Sequence, residues 1–292
     1  MTQLIIDGGS IYARCFYAGA KSEKLAQLED DIGTSFVEIG AKMMLGLLDP
    51  HGTKIGERID QMLFCWDGQP KRDKQRPNKP LGYKDGQKQF IQAMKDLFGG
   101  VHCCPPQHEA DDAVATHIYK ASDHERIYVV SGDHDLQQLA APNVLIYDLN
   151  CGAVLSRKFI LDRWNVLRPC QICIALAILG DSGDNVPGIR GWGPKKVKEL
   201  FKVVTPEMNL EEALQAIVKQ IPLAHQPIFY ESLDLTVLDP DVPGVPPPLP
   251  ISFASMDLVK ALGFSTLTGR YAQVKRSYEI SEASVMRAID EA

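Results

Sequence analysis

The 292-residue chain reads as an α/β protein, a mostly parallel sheet flanked by helices. Two observations predict this. Short apolar runs of strand length alternate with stretches of helical periodicity over the first two-thirds of the chain. Three of the runs also end in aspartate, and ligands of an open parallel sheet bind outside the carboxyl ends of its strands. Leu4-Ile5-Ile6 is the first strand, ending at Asp7-Gly8-Gly9. Residues 34–48 repeat apolar side chains at helical spacing, with Phe36, Val37, Ile39, Met43, Met44, Leu47 and Leu48. The run 61–66 (QMLFCW) is a second strand, ending at Asp67-Gly68. Phe90, Ile91, Met94, Leu97 and Phe98 form another helical stripe, stopped by Gly99-Gly100. Glu109 and the residues after it open a helix with acids in its first turn. Residues 127–130 (IYVV) are a third strand, ending at Ser131-Gly132-Asp133, and 144–147 (VLIY) a fourth.

Residues 169–202 change character. A helix over 171–179 runs into a segment with five glycines and two prolines between Gly180 and Pro194, followed by a lysine-rich helix. This reads as helix–loop–helix. Six prolines in 237–250 argue against regular structure there. A last amphipathic helix spans 256–262, and the polar residues after about 273 are expected to be less ordered. The expected division is therefore 1–168, 169–272 and a polar tail at 273–292.

Lysine and arginine total 31 against 37 aspartates and glutamates, a formal charge of −6. A general nucleic-acid coat is usually basic, so the total alone argues against one. The composition, 45% hydrophobic and 23% charged, is that of a globular chain able to bury a core. No run reaches the ~18 apolar residues of a membrane span. No basic start with a long apolar stretch precedes Asp7, so neither a membrane partner nor a secretory signal is expected. The seven cysteines are odd in number and lie mostly in apolar runs, as expected of reduced thiols in a cytoplasm.

Asp7, Asp67, Asp133 and Asp135 sit at predicted strand ends, Glu109, Asp111 and Asp112 open a helix, and Asp181 and Asp184 lie in the glycine-rich loop. Nine carboxylates brought together repel one another unless cations neutralise them. Hard oxygen ligands without clustered histidine or cysteine favour Mg²⁺ or Mn²⁺. Two such ions about 4 Å apart suit in-line attack on a phosphodiester. Each cluster alone has an ordinary reading: first-turn acids stabilise a helix dipole, and Asp-Gly after a strand is commonly a turn.

The segments IIDGGSIYARCFYA (5–18), FCWDG (64–68), EADDAVA (109–115), VVSGDHDLQQL (129–139) and ILGDSGDNVPGIRGWGPKKVKEL (178–200), in this order, resemble the 5′-nuclease (flap endonuclease) superfamily. The likeness is to phage 5′–3′ exonucleases and to the N-terminal nuclease domain of bacterial family A DNA polymerases, and it covers about residues 3–270. It implies a PIN-like sheet, a basic arch region at about 68–100, and a helix–three-turn–helix subdomain that binds DNA. It implies one metal site at Asp7, Asp67, Glu109 and Asp111, a second at Asp133, Asp135, Asp181 and Asp184, and Asp112 near or between them. Arg14 matches an arginine that contacts the reacting phosphate region. The loop with Gly188, Gly191 and Gly193, followed by Lys195 and Lys196, matches the phosphate-binding loop, where many members hold a monovalent cation such as K⁺.

Segment 68–88 carries seven basic residues against two acids and matches the arch over the 5′ strand, with Arg72, Arg76, Lys79 and Lys84 as DNA contacts. The family's Tyr-Lys-x-x-Arg becomes Tyr83-Lys84-Asp85-Gly86-Gln87 here. The catalytic basic role therefore falls on Lys84, or on Lys79 or Arg76 under a shifted alignment. Only 24 residues separate Lys84 from Glu109, short for a full helical arch, and His134 stands where relatives often have lysine.

The resemblance implies a free-standing, Mg²⁺-dependent 5′→3′ exonuclease and flap endonuclease. Its substrates would be DNA with 5′ ends, flaps or branches, with RNA of RNA–DNA hybrids as a further substrate. The context would be replication or repair in the cytoplasm of a bacterial or phage-infected cell, with a polymerase as a partner. A PIN-type ribonuclease and a catalytically silent branched-DNA binder are the alternatives. The loop from Asp181 to Lys196 argues against the first, and retention of nine mutually repelling acids argues against the second. Among weaker signals, the cluster His102, Cys103, Cys104 and His108 reads as a structural strand end rather than a zinc site. Cys170 and Cys173 read as helix-core thiols, and Phe16 and Tyr17 as core or as a base-stacking pair.

Overall fold

The computed structural model describes residues 1–26, 35–68, 79–80, 82–264 and 266–290. The first strand, β1 (Thr2–Asp7), runs directly into α1 (Gly8–Ala26), and α2 (Ser35–Leu48) follows. Next come β2 (Gln61–Cys65), α3 (Tyr83–Phe98), β3 (Val101–Cys103), α4 (Ala110–Lys120), β4 (Arg126–Ser131) and a 3-10 turn at Asp135–Leu139. β5 (Val144–Asp148), β6 (Ala153–Val154) and α5 (Arg157–Trp164) complete the first part. α6 (Ile172–Leu179), α7 (Pro194–Leu200), α8 (Leu210–Val218) and α9 (Gln226–Thr236) then lead to β7 (Leu249–Pro250), α10 (Met256–Ala261) and α11 (Thr268–Asp290).

The sheet has the order β3-β2-β1-β4-β5-β6. The pairs β1–β2, β1–β4, β2–β3 and β4–β5 are parallel, and β6 pairs antiparallel with β5. β7 pairs antiparallel with Gln61 and Met62 of β2, while β3 pairs with the remaining residues of that strand. The proline-rich segment was expected to lack regular structure. Its last two residues nonetheless form β7, because Leu249 N–H and C=O can still join a ladder that proline alone could not. The central strands are buried on both faces, which is why they read as continuous apolar runs.

Period-two alternation sorts their side chains into two cores. Leu4, Ile6, Met62, Phe64, Tyr128, Val130 and Tyr147 pack with α1, α2, α3, α10 and α11. Ile5, Leu63, Cys65, Ile127, Val129 and Ile146 pack with α4 to α9. Continuing the alternation, Asp7 and Ser131 point to the α4 face at the ends of their strands. Asp67 follows β2 with the same parity. The chain leaves β1 toward β2 on one side and reaches β4 on the other, so Asp7 and Ser131 border a switch point in strand order, where open α/β sheets bind ligands.

One core runs through residue 168: Ile172, Ile174, Leu176 and Ile178 of α6 pack with strands and with α4. Residues 273–290 of the expected polar tail continue α11, whose Tyr271, Val274 and Tyr278 are buried against the α1–α3 core. Its polar composition reflects a helix that buries only one stripe. Among the described residues no helix is long and apolar enough to cross a membrane.

Candidate active site

An open cleft of about 620 Å³ lies at the carboxyl edge of the sheet. Asp7, Asp67, Asp111, Asp133 and Asp184 line it, with Ser10, Lys79, Tyr83, Lys84, Gln87 and Lys88. Five acids from five separate stretches of chain thus meet. Asp7 ends β1, where Ser10 N–H donates to its Oδ1 (3.0 Å) and Ser131 Oγ donates to its Oδ2 (2.7 Å). Asp67 Oδ1 accepts from Ala110 N–H, the first residue of α4, at 3.1 Å, which ties the end of β2 to that helix N-terminus. Asp111 projects from the same first turn. Asp133 accepts from the N–H of Asp135 (2.9 Å) and itself donates through its N–H to Ser131 Oγ (2.9 Å). Ser131 therefore links the two halves of the acidic group.

Burial holds the Asp7 carboxyl up at about 7, with Asp67 and Asp133 adding like-charge repulsion and the bonds from Ser131 and Ser10 opposing it. Burial also pushes Asp111 well above the carboxylate range, reinforced by Asp133, Asp7, Asp67 and Asp135. Such acids ionise readily only beside a cation. Ligand oxygens of Asp133, Asp135 and Asp184 all lie within 4.8 Å of one another, the spacing of donors that share one ion. The donor set is all oxygen, so the residues present fit hard divalent cations.

Three expected ligands, Glu109, Asp112 and Asp181, are not among the cleft-lining residues. Glu109 is the buried N-cap of α4 and forms a reciprocal capping box with Asp112. Asp112 Oδ2 accepts from Glu109 N–H (3.5 Å) and its Oδ1 from Asp239 N–H (2.9 Å), and neither acid lines the cleft. The i, i+3 spacing in a first turn suits capping as well as ligation. Asp181 closes its own loop, bridging to Val186 and accepting from Gly183 N–H at 2.7 Å, so Asp184 rather than Asp181 reaches Asp133 and Asp135. Asp135 is 2% exposed and joins that group from beneath the cleft lining.

Lys79 and Lys84 are exposed at the cleft, and Lys79 Nζ lies 4.9 Å from the Tyr83 ring centre. Lys88, one turn after Lys84, also lines it; it was counted among the seven basic residues of segment 68–88 but not among the expected DNA contacts, although it continues the Lys84 face of α3. Ser10 and Ser131 were missed too, being embedded in the quoted segments without a charge to mark them. Arg72 and Arg76 lie outside the described residues. Arg14 is exposed on α1 but not among the cleft residues; it lies close enough to Lys54, with Arg270, to add to the burial that lowers the lysine's pKa. Phe16 is buried in the α1–α3 core, while Tyr17 is 47% exposed. Cys103 ends β3, as the strand-end reading expected.

In the glycine-rich loop Gly188 is a packing residue. A Cβ there would sit 2.4 Å from Gly180 N, and its own N–H donates to Ser232 Oγ (3.0 Å), so it is not offered to a phosphate. Gly191 (φ +82°) and Gly193 face open space. Lys195 is exposed, and Lys196 Nζ pairs with Glu199 at 3.0 Å while lying 5.2 Å from the Trp192 ring centre.

Residues 2–166 match the family model described as 5′-3′ exonuclease, N-terminal resolvase-like domain. The chain belongs to this 5′-3′ exonuclease family. Over 250 residues it is 28% identical to a 5′-3′ exonuclease of Aquifex aeolicus, covering 80% of this chain and 79% of that protein. It is 33% identical over 183 residues to DNA polymerase I of Rhizobium leguminosarum, covering 56% of this chain and only 17% of the polymerase. The fold is that of the bacteriophage T5 flap endonuclease in a complex with DNA and metal ions, with a TM-score of 0.55, 15% identity, and 94% and 99% of the two chains covered.

Proposed function

We propose that this exonuclease-family chain hydrolyses DNA phosphodiesters at 5′ ends and 5′ flaps, using two divalent cations at the acidic cleft. The observation that carries the reading is the convergence of Asp133, Asp135 and Asp184 within 4.8 Å, beside the raised carboxyls of Asp7 and Asp111. Mg²⁺, or Mn²⁺ in its place, supplies an activated water and a Lewis acid for the leaving oxygen. Asp7, Asp67 and Asp111 hold the first ion; Asp133, Asp135 and Asp184 hold the second. Ser10 and Ser131 fix the Asp7 carboxylate, so its oxygens stay aimed at the cleft. Lys79, Lys84 and Lys88 draw the phosphates in and offset charge developing on the phosphoryl oxygens. The duplex backbone runs along Gly191, Gly193, Lys195 and Lys196, where exchange of K⁺ for Li⁺ tests the monovalent site. The products carry 5′-phosphates. RNA in RNA–DNA hybrids, a replication polymerase and a bacterial or phage-infected cytoplasm complete the proposed setting.

The test is cleavage of labelled 5′-flap and blunt duplex substrates in Mg²⁺ and in EDTA, read as a product-length ladder. Cleavage in Mg²⁺ alone, with mono- and oligonucleotide products from the 5′ end, is expected. Equal cleavage in EDTA would overturn the metal reading, and faster cutting of single-stranded RNA than of flap DNA would favour the ribonuclease.

A further inference from the structure

Against His134, which stands between Asp133 and Asp135 in the chain, lies a cation that the acidic motifs do not reveal. Arg163, in the last turn of α5, places Nη2 2.8 Å from His134 Nε2. Arginine has only donors, so Nε2 accepts and the imidazole carries its hydrogen on Nδ1. His134 stands between Asp133 and Asp135, and its ring lies edge-on to Trp164, 6.3 Å between centroids. The guanidinium carbon is 5.7 Å from the Trp164 ring centre, and Trp164 is itself anchored by donating Nε1–H to the buried Gln137 side chain at 2.8 Å. The arginine head is thus held from two sides, by the imidazole and by the indole. The acid beside it in sequence, Asp162, is paired with Lys158 at 2.5 Å, and among the described residues Arg163 has no carboxylate within salt-bridge distance. It remains exposed, with a fork of further N–H groups toward solvent.

An oriented, exposed and uncompensated guanidinium beside an acidic group suits one ligand class, a phosphodiester delivered to those acids. Arginine matches two phosphate oxygens at once, and its preset position reduces the entropy lost on binding. We propose that Arg163 holds a backbone phosphate of the DNA at the rim of the Asp133–Asp135–Asp184 group, with His134 and Trp164 as its positioning residues. The contact is to backbone, so it carries no sequence preference. It rests on the nuclease reading above, and it adds a contact point outside the lysines of α3 and the glycine-rich loop.

The test is steady-state cleavage of a 5′-flap substrate in Mg²⁺ by the full chain and by Arg163→Gln and Arg163→Lys, with melting temperatures as a control for folding. Arg163→Gln is expected to raise KM about three- to tenfold with kcat within about twofold, and to make the salt dependence of kcat/KM shallower by about one unit of slope. Arg163→Lys should keep the salt slope and part of the affinity. A neutral methylphosphonate stepped along the substrate should raise the wild-type KM at one position where Arg163→Gln adds nothing further. Cleavage by Arg163→Gln with unchanged KM and salt slope overturns the proposal alone, as do losses that add at every methylphosphonate position. No cleavage by the wild-type chain would overturn the nuclease reading and this proposal with it.

Discussion

At the scale of single residues, the site is a problem in charge. Asp7 is 6% exposed and has Asp67 and Asp133 as neighbours, yet the chain keeps a carboxylate there. Its carboxyl lies near 7, above the ordinary 3.8, so the folded state holds that proton more tightly than the unfolded one. The stability this contributes is complete below about pH 4 and is lost as pH rises through about 7. The melting temperature in EDTA is therefore expected to fall by about 5 °C or more between pH 5 and pH 8. Asp7→Asn should flatten that decline, and Mg²⁺ at pH 8 should recover it for the wild type, because a cation favours the ionised cluster. A wild-type melting temperature independent of pH in EDTA would contradict the assignment. Asp184→Asn removes a donor from the three-carboxylate group without leaving a buried cavity. Its expected outcome is at least about a hundredfold loss of kcat with a near-normal melting temperature, comparable to loss of other electrostatic groups in active sites.

At the scale of elements, the loop between α6 and α7 divides its glycines by job. Gly188 combines φ +63° with a site where a Cβ meets Gly180 N at 2.4 Å, whereas Gly191 has φ +82° and nothing within 4 Å. Gly188→Ala should cost about 3 kcal/mol or more in urea unfolding, since backbone must move. Gly191→Ala should cost about 1 kcal/mol, the strain of a left-handed non-glycine residue. Similar losses in the two would show that packing is not what demands glycine at 188. The sequence displayed both glycines in one motif and could not separate them, because the distinction lies in Ser232 and Gly180, brought near by folding. Strands β1, β2, β4 and β5 were readable from their apolar runs, since burial on both faces removes the polar alternation. β6 and β7 were too short to stand out, and β3 showed only as the strand end at Cys103. The acids were all visible, but which of them line the cleft was not. Glu109 and Asp112 differ from Asp111 only in helical phase, and that phase turns them into a capping box.

At the scale of the molecule, α11 closes the layer opposite α4 by reaching four distant stretches of backbone. Tyr271 Oη accepts from Ala254 N–H and donates to Leu97 O, tying the helix to the end of α3. About two turns later Tyr278 Oη donates to Leu48 O at 3.1 Å and accepts from Ile59 N–H at 3.3 Å. Arg58 donates to Tyr278 O at 3.1 Å and lies over the ring with its guanidinium carbon 4.7 Å from the centre. These anchors fall at the end of α2 and just before β2, whereas Asp67 lies beyond the other end of that strand. Stability and chemistry should therefore separate. Tyr278→Phe leaves the ring in place but strands a buried carbonyl and a buried N–H, an expected cost of about 1–3 kcal/mol in urea unfolding. Tyr278→Ala adds the cavity, for about 3–5 kcal/mol in total. Both variants, assayed at a temperature where they remain folded, should cleave flap DNA with wild-type kcat and KM. An unchanged urea midpoint in Tyr278→Phe would mean that the two hydrogen bonds do not hold α11. A lowered kcat in a fully folded variant would mean that α11 reaches the cleft through β2, and that the two ends of the strand act as one unit.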